Sequence, residues 1–133
     1  MKLVFDTNVI LSAFLTQGLS SRVMDICLDQ HRLFISEWII NETTGKLKTK
    51  FKVPESELIR TKDFLVTAFE IIEPEGPVPK LCRDRDDNNI LHLAEQCKAD
   101  LIITGDKDLL VLKAVQDCRI IDPRTWMEEY HKK

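Results

Sequence analysis

The chain of 133 residues is 44% apolar and 31% charged, which predicts one globular domain, residues 1–133, around a single core. No apolar run is long enough to span a bilayer and no signal-peptide pattern opens the chain, so we expect a cytoplasmic protein without a membrane anchor. The net charge of −3 counts mildly against a nucleic-acid binder, although clustered acids neutralised by a metal ion would give the same balance.

Five short apolar runs predict the strands of a sheet. Each run is continuous rather than alternating, as expected for parallel strands that are buried on both faces. The runs alternate with helical patterns and no hairpin turn separates them, which predicts an α/β domain around a parallel sheet. The predicted strands are 3–5, 33–35, 71–72, 101–103 and 119–121.

Helical patterns fill the segments between these strands. Ser20 or Ser21 is a suitable N-cap for the second helix, and Ser36 for the third, which carries Glu42. Pro54 and Pro123 open two later helices. The predicted helices are 9–15, 21–31, one that begins after Ser36, 54–69, 86–97, 108–115 and 123–130.

The four cysteines lack the close spacing of a zinc site. Cys27 and Cys97 fall on the apolar stripes of two helices, so we expect them to be reduced thiols of the core.

Four acids are the candidate functional residues: Asp6, Glu42, Asp87 and Asp106. Asp6 and Asp106 follow predicted strands, and ligands of parallel sheets bind at the carboxyl ends of the strands. Asp87 begins a helix about 16 Å long, and the strand that follows is about 13 Å long. The chain therefore returns to the edge that it left, and Asp87 and Asp106 lie at about the same level. Glu42 follows an inward-facing stripe of its own helix, at Trp38 and Ile39.

Acids that meet at the rim of a core repel one another unless a cation joins them. Without histidine or cysteine partners, such a cluster suits Mg²⁺ or Mn²⁺ and predicts a metal-dependent nuclease. Helix capping is the alternative explanation for each aspartate taken singly. Capping does not explain Glu42, which lies inside its helix, and for Asp108 we expect a cap rather than a ligand.

Three segments resemble motifs of the PIN-domain nucleases: FDTNV at 5–9, DDNNIL at 86–91 and TGDKDLL at 104–110. The resemblance implies a three-layer α/β/α fold with a mainly parallel, five-stranded sheet and a Mg²⁺- or Mn²⁺-dependent endoribonuclease site. By position it assigns catalytic and metal-binding roles to the four acids, with Thr7, Asn8 and Thr104 as polar supports. The chain is also similar to VapC-type toxins, and this similarity implies an RNA substrate, an antitoxin protein and a homodimer.

Basic residues near the acids are candidate contacts to RNA phosphates: Lys46, Lys48, Arg83 and Arg85. A solvated helix face and simple charge balance are the alternatives for them. An aspartyl phosphotransferase is disfavoured because Asn8 stands where a second aspartate is needed. A nuclease without an antitoxin, or a non-catalytic module that binds RNA or a partner, remains as an alternative function.

Overall fold

A six-stranded sheet forms the centre of the protein in the computed structural model, which describes residues 1–131. The strand order is β3-β2-β1-β4-β6-β5, and all neighbours are parallel except β5 and β6. The strands are β1 (Lys2–Phe5), β2 (Arg32–Ile35), β3 (Glu70–Ile71), β4 (Leu101–Ile103), β5 (Ala114–Val115) and β6 (Cys118–Ile121).

The central strands are apolar because both of their faces are covered. Leu3 to Phe5 of β1 and all of β4 are buried. Within residues 1–131, seven helices flank the sheet, with α5 packed against β1 and β2. The helices are α1 (Thr7–Leu15), α2 (Leu19–Gln30), α3 (Glu37–Thr49), α4 (Glu55–Ala68), α5 (Arg85–Cys97), α6 (Lys107–Leu110) and α7 (Pro123–Glu129).

The register of β1 and β4 determines where the candidate acids lie. Phe5 pairs with Ile103, and the Asp6 N–H donates to the Ile103 carbonyl at 2.9 Å. The Thr104 N–H continues the ladder to the Ile121 carbonyl of β6, also at 2.9 Å. The residues that follow β1 and β4 therefore stand side by side at the carboxyl edge of the sheet.

The prediction of five strands was wrong by one. The predicted helix 108–115 ends at Leu110, and β5 instead pairs antiparallel with β6 across a two-residue connection. Lys113 and Gln116 both adopt positive φ, at 63° and 54°, which reverses the chain where a helix would have continued. Short apolar segments do not distinguish a strand from a helical turn by pattern alone.

Several local predictions are confirmed. The Ser36 side chain caps α3 by accepting from the Ile39 N–H at 3.3 Å, and Pro123 opens α7. The four cysteines are free thiols, with Cys27 and Cys97 buried as expected. The serine cap of α2 was wrong, because that helix begins after Gly18 without a side-chain cap. Within residues 1–131, no helix has the length and apolar character needed to cross a membrane.

Candidate active site

Asp6 is a buried carboxylate held from both sides. Only 5% of its surface is exposed, and it caps α1 through the Asn8 N–H, 3.4 Å from Oδ1. The Thr104 hydroxyl donates to the other oxygen, Oδ2, at 2.7 Å. The same hydroxyl accepts from the Asp106 N–H at 3.0 Å. Thr104 therefore connects two of the predicted acids. Burial raises the pKa of the Asp6 carboxyl, and the Thr104 hydrogen bond opposes that effect.

Asp87 lies in the first turn of α5 without a capping role. Asp84 is the cap of this helix, accepting from the Asp86 N–H at 2.9 Å. Asp87 is therefore free to point inward, where it is 4% exposed and its Oδ2 has no hydrogen-bond partner among the described residues. Burial raises the pKa of Asp87 to about 7, helped by the charges of Asp106, Asp84, Asp6 and Asp108.

Asp106 and Asp108 complete a group of three carboxylates with Asp87. One oxygen of each lies within 4.8 Å of the others, close enough for a single ion to be shared. Asp106 Oδ1 accepts from the Asp108 N–H at 2.8 Å, so Asp106 is the cap of α6 and Asp108 lies inside that helix. The expected capping role of Asp108 was wrong. The sequence signal that Asp108 lies with the other acids is its spacing of two residues from Asp106, at the start of a short helix.

Glu42 does not belong to that group of three. On α3 it pairs with Lys46 one turn later, at 3.6 Å between Oε1 and Nζ. Both side chains are about one-third exposed, at 29% and 34%. The positive charge of Lys46 lowers the pKa of Asp6, so the pair lies within electrostatic reach of the buried acid.

The remaining predicted residues lie at different depths around the acids. Thr7 is buried and its hydroxyl has no partner among the described residues, whereas the Asn8 side chain is exposed. Lys48 and Arg85 are exposed. Arg83 reaches back across the acids to Asp108, at 3.4 Å, although 90% of its side chain is in solvent.

A cavity of about 340 Å³ opens beside Asp106. Its lining residues are mostly small, and consist of Asn8, Val9, Ser12, Ser20, Gly105, Asp106 and Pro123. A larger cavity of about 590 Å³ lies between α5 and the β5–β6 hairpin, and none of the candidate acids lines it. We therefore associate the smaller one with the site.

The donor set fits a hard divalent cation. The three grouped ligands are carboxylate oxygens, which Mg²⁺ and Mn²⁺ prefer over Zn²⁺-type nitrogen and sulfur sites. The buried Asp87 Oδ2 supplies a ligand atom that nothing in the described chain satisfies. The three grouped carboxylates would be stabilised together by one ion of charge +2.

Comparison with known proteins identifies a family, a protein of similar sequence and a structure of similar fold. The model of the PIN domain family matches residues 2–108, a span that includes all the acids described above. An uncharacterised protein of Methanocaldococcus jannaschii is 28% identical over 146 aligned positions, covering 99% of this chain and 93% of that protein. The crystal structure of VapBC2 from Rickettsia felis, bound to a DNA fragment from their promoter, is similar in fold. Its TM-score is 0.65 at 13% identity, over 92% of this chain and 98% of that one.

The raised pKa of Asp87 predicts that ionising this residue lowers the free energy of unfolding of the metal-free protein. Between its ordinary value of 3.8 and about 7, folding favours the protonated carboxyl, so stability falls as pH rises through this window. Asp87→Asn removes that cost. In EDTA, we expect its advantage in free energy of unfolding to grow from near zero at pH 4 to roughly 2–4 kcal/mol above pH 7. Denaturant titrations at several pH values measure it.

The exposed Asp25 of α2 provides the matched control, since Asp25→Asn should show no such trend. An Asp87→Asn advantage that is constant with pH would contradict the assignment of the effect to Asp87.

Thr104 should determine how well the site binds a metal. Thr104→Val keeps the shape but removes the hydrogen bond that favours ionised Asp6, and it leaves the Asp106 N–H without an acceptor. We expect Mn²⁺ affinity, measured by calorimetry at pH 7, to fall by about 10- to 100-fold. Thr104→Ser retains the hydroxyl and should stay within about threefold of the wild type. Equal losses in both variants would contradict this role of the hydroxyl, because Thr104→Ser retains it.

Proposed function

Because this chain belongs to the PIN domain family, a family of nucleases, we propose that it is a metal-dependent endoribonuclease that hydrolyses RNA phosphodiester bonds. The observation that carries the proposal is the buried, unpartnered Oδ2 of Asp87, in a residue whose carboxylate is grouped with those of Asp106 and Asp108. A carboxylate left in that condition costs stability, and a bound cation offsets the cost.

Asp6, Asp87 and Asp106 would hold Mg²⁺ or Mn²⁺, with Asp108 as a further ligand. When bound, the ion activates water for attack on phosphorus and neutralises charge on the phosphate. Glu42 would complete the acidic set, as a ligand or by orienting the attacking water. Thr104 would keep the Asp6 carboxylate in place through its 2.7 Å hydrogen bond, so that the geometry is set before the substrate enters.

The surroundings of the acids suit an RNA strand. The cavity of about 340 Å³ beside Asp106 would receive part of the substrate. Thr7 and Asn8 follow Asp6 in sequence, and their side chains would support the substrate or the acid. Lys46, Lys48, Arg83 and Arg85 would contact phosphates on either side of the scissile bond.

We also propose that the protein is the toxin of a type II toxin–antitoxin pair, inhibited by an antitoxin protein and assembled as a homodimer in the cytoplasm. Its support is the fold shared with VapBC2 from Rickettsia felis over nearly the whole length of both chains. A nuclease that processes RNA without an antitoxin is the second candidate, since the family model that matches is that of the PIN domain in general.

Cleavage of a mixed RNA pool by purified protein tests the nuclease. We expect cutting with Mn²⁺ or Mg²⁺ and none with EDTA, and a loss of at least about 100-fold in Asp6→Asn and Asp106→Asn. Asp63→Asn, on the exposed side of α4, changes a carboxylate away from the site and should retain full activity. A DNA strand of the same sequence shows whether the sugar matters.

Full activity in Asp6→Asn would show that the site is elsewhere or that the preparation contains another nuclease. A folded wild-type protein that cuts neither nucleic acid, with either metal, would favour the non-catalytic binding module.

The toxin role makes a separate prediction in cells. Induced expression of the wild-type chain should arrest bacterial growth within one or two doublings, whereas Asp6→Asn at the same protein level should not. Growth curves and immunoblots measure both. Normal growth with a protein that is active in vitro would favour the RNA-processing nuclease without an antitoxin.

A further inference from the structure

Two buried polar side chains of α5 hold the segment that leads into this helix. The strap, which we define as residues 73–83, runs between β3 and α5 without regular secondary structure. Asn88 accepts from the Cys82 N–H at 2.9 Å through its amide oxygen, and its amide nitrogen donates to the Cys82 carbonyl at 3.0 Å. One turn later, Nε2 of His92 lies 3.0 Å from the Glu75 carbonyl, which only accepts, so Nε2 carries the hydrogen. Helix α5 therefore fastens the strap at two points.

The bonds made by Asn88 replace the partner strand that the strap lacks. An antiparallel neighbour supplies one residue with two N–H···O bonds of opposite direction, and here a single amide side chain supplies both. Pro74, Pro77 and Pro79 have no N–H to donate, which disfavours a further strand in this segment. Asn88 is only 6% exposed, and a buried amide needs partners for both of its polar atoms. The backbone of Cys82 provides them.

The fastened end of the strap lies against the acids. The Cys82 Sγ is 4.0 Å from the Asp108 carbonyl, and the Arg83 guanidinium is 3.4 Å from the Asp108 carboxylate. Asp87 directly precedes Asn88, and its carboxylate joins the acidic group while the Asn88 amide binds the strap. Asn88 thus links the backbone that carries Arg83 to the helical turn that carries a candidate metal ligand.

We propose that Asn88 is a positioning residue of the active site, which acts by holding the strap so that Arg83 faces the acids. The Arg83 side chain is 90% exposed, and an ion pair in solvent is too weak to fix it in place. His92 holds the middle of the strap and limits how far it can lift. The contact of Arg83 with RNA rests on the proposed function, whereas the attachment of the strap by Asn88 does not.

Loss of the Asn88 amide should expose the Cys82 thiol. Cys82 is half-buried and the other three cysteines are buried, so alkylation of Cys82 reports on the strap. Asn88→Leu keeps a similar volume and removes both bonds, and we expect iodoacetamide to label Cys82 about tenfold faster in the native protein. Mass spectrometry of the labelled protein locates the modification.

The same loss should weaken RNA binding without changing the chemical step. At saturating Mn²⁺, the KM of Asn88→Leu for an RNA oligonucleotide that the wild type cleaves should rise about tenfold, with kcat within about threefold. Arg83→Met removes the phosphate contact directly and should raise KM by a similar factor. Because Asn88 acts through Arg83, the double variant should match Arg83→Met alone rather than show the product of both effects.

Matched variants of α5 control both measurements, after thermal melts establish that each protein is folded. His92→Leu removes the second attachment and should also speed labelling, whereas His92→Gln keeps an N–H donor and should stay within about threefold of the wild type. Gln96→Leu changes an exposed amide near the opposite end of the helix and should alter neither labelling nor KM. If Asn88→Leu does not fold, Asn88→Ser replaces it, since a serine hydroxyl is too short to make both bonds.

Faster labelling of Cys82, together with a raised KM that is not additive with Arg83→Met, supports the proposal. Unchanged labelling in a folded variant overturns it, because Asn88 would then not fasten the strap. A normal KM despite faster labelling, or a further loss on top of Arg83→Met, also overturns it, since Asn88 would not act through Arg83. If the wild-type protein does not cleave RNA, the nuclease proposal fails and the role of Asn88 toward Arg83 fails with it, while labelling still decides whether Asn88 holds the strap.

Discussion

The repulsion among carboxylates at the carboxyl edge of the sheet is the constraint on which the site depends. The constraint is visible at Asp87, because burial and, after it, the charges of the neighbouring acids raise the pKa of this carboxyl to about 7. A fold selected only for stability would replace such a group by an apolar residue or satisfy it with a donor. Here the nearby donors are committed elsewhere, with Thr104 bonded to Asp6 and Arg83 bound loosely to Asp108. The unsatisfied carboxylate is therefore the feature that suits the site to a cation.

The parallel sheet brings these acids together from distant parts of the chain. Strands β1 and β4 are neighbours although their last residues, Phe5 and Ile103, which pair in register, are 98 positions apart in the chain. That register places Asp6 and Thr104 at one level, and the Thr104 hydroxyl converts the alignment into a fixed contact with both Asp6 and the Asp106 backbone. Rigid strands thus position the carboxylates, and loops only follow them.

Sequence reasoning located the acids of the strand ends but not all of their partners. Asp6 and Asp106 were predictable because a strand end in a parallel sheet has a defined edge, and Asp87 because the helix and strand after it have similar lengths. Asp108 was assigned the capping role that Asp106 holds, since both aspartates stand at the start of the same short helix. The pairing of Glu42 with Lys46, and the hairpin formed by β5, depend on side-chain rotamers and backbone φ values that the apolar pattern does not encode.

The acidic net charge, which first counted against a polyanionic substrate, has a local explanation. Removing Asp6, Asp87, Asp106 and Asp108 from the 22 acidic residues leaves 18, against 19 lysines and arginines. The negative charge is therefore concentrated where a divalent ion would offset part of it, while the rest of the chain is close to neutral. A polyanion approaching the metal-free site would meet several carboxylates close together. A divalent ion bound among them would lower that repulsion, so that metal binding would affect the approach of the substrate as well as its chemistry.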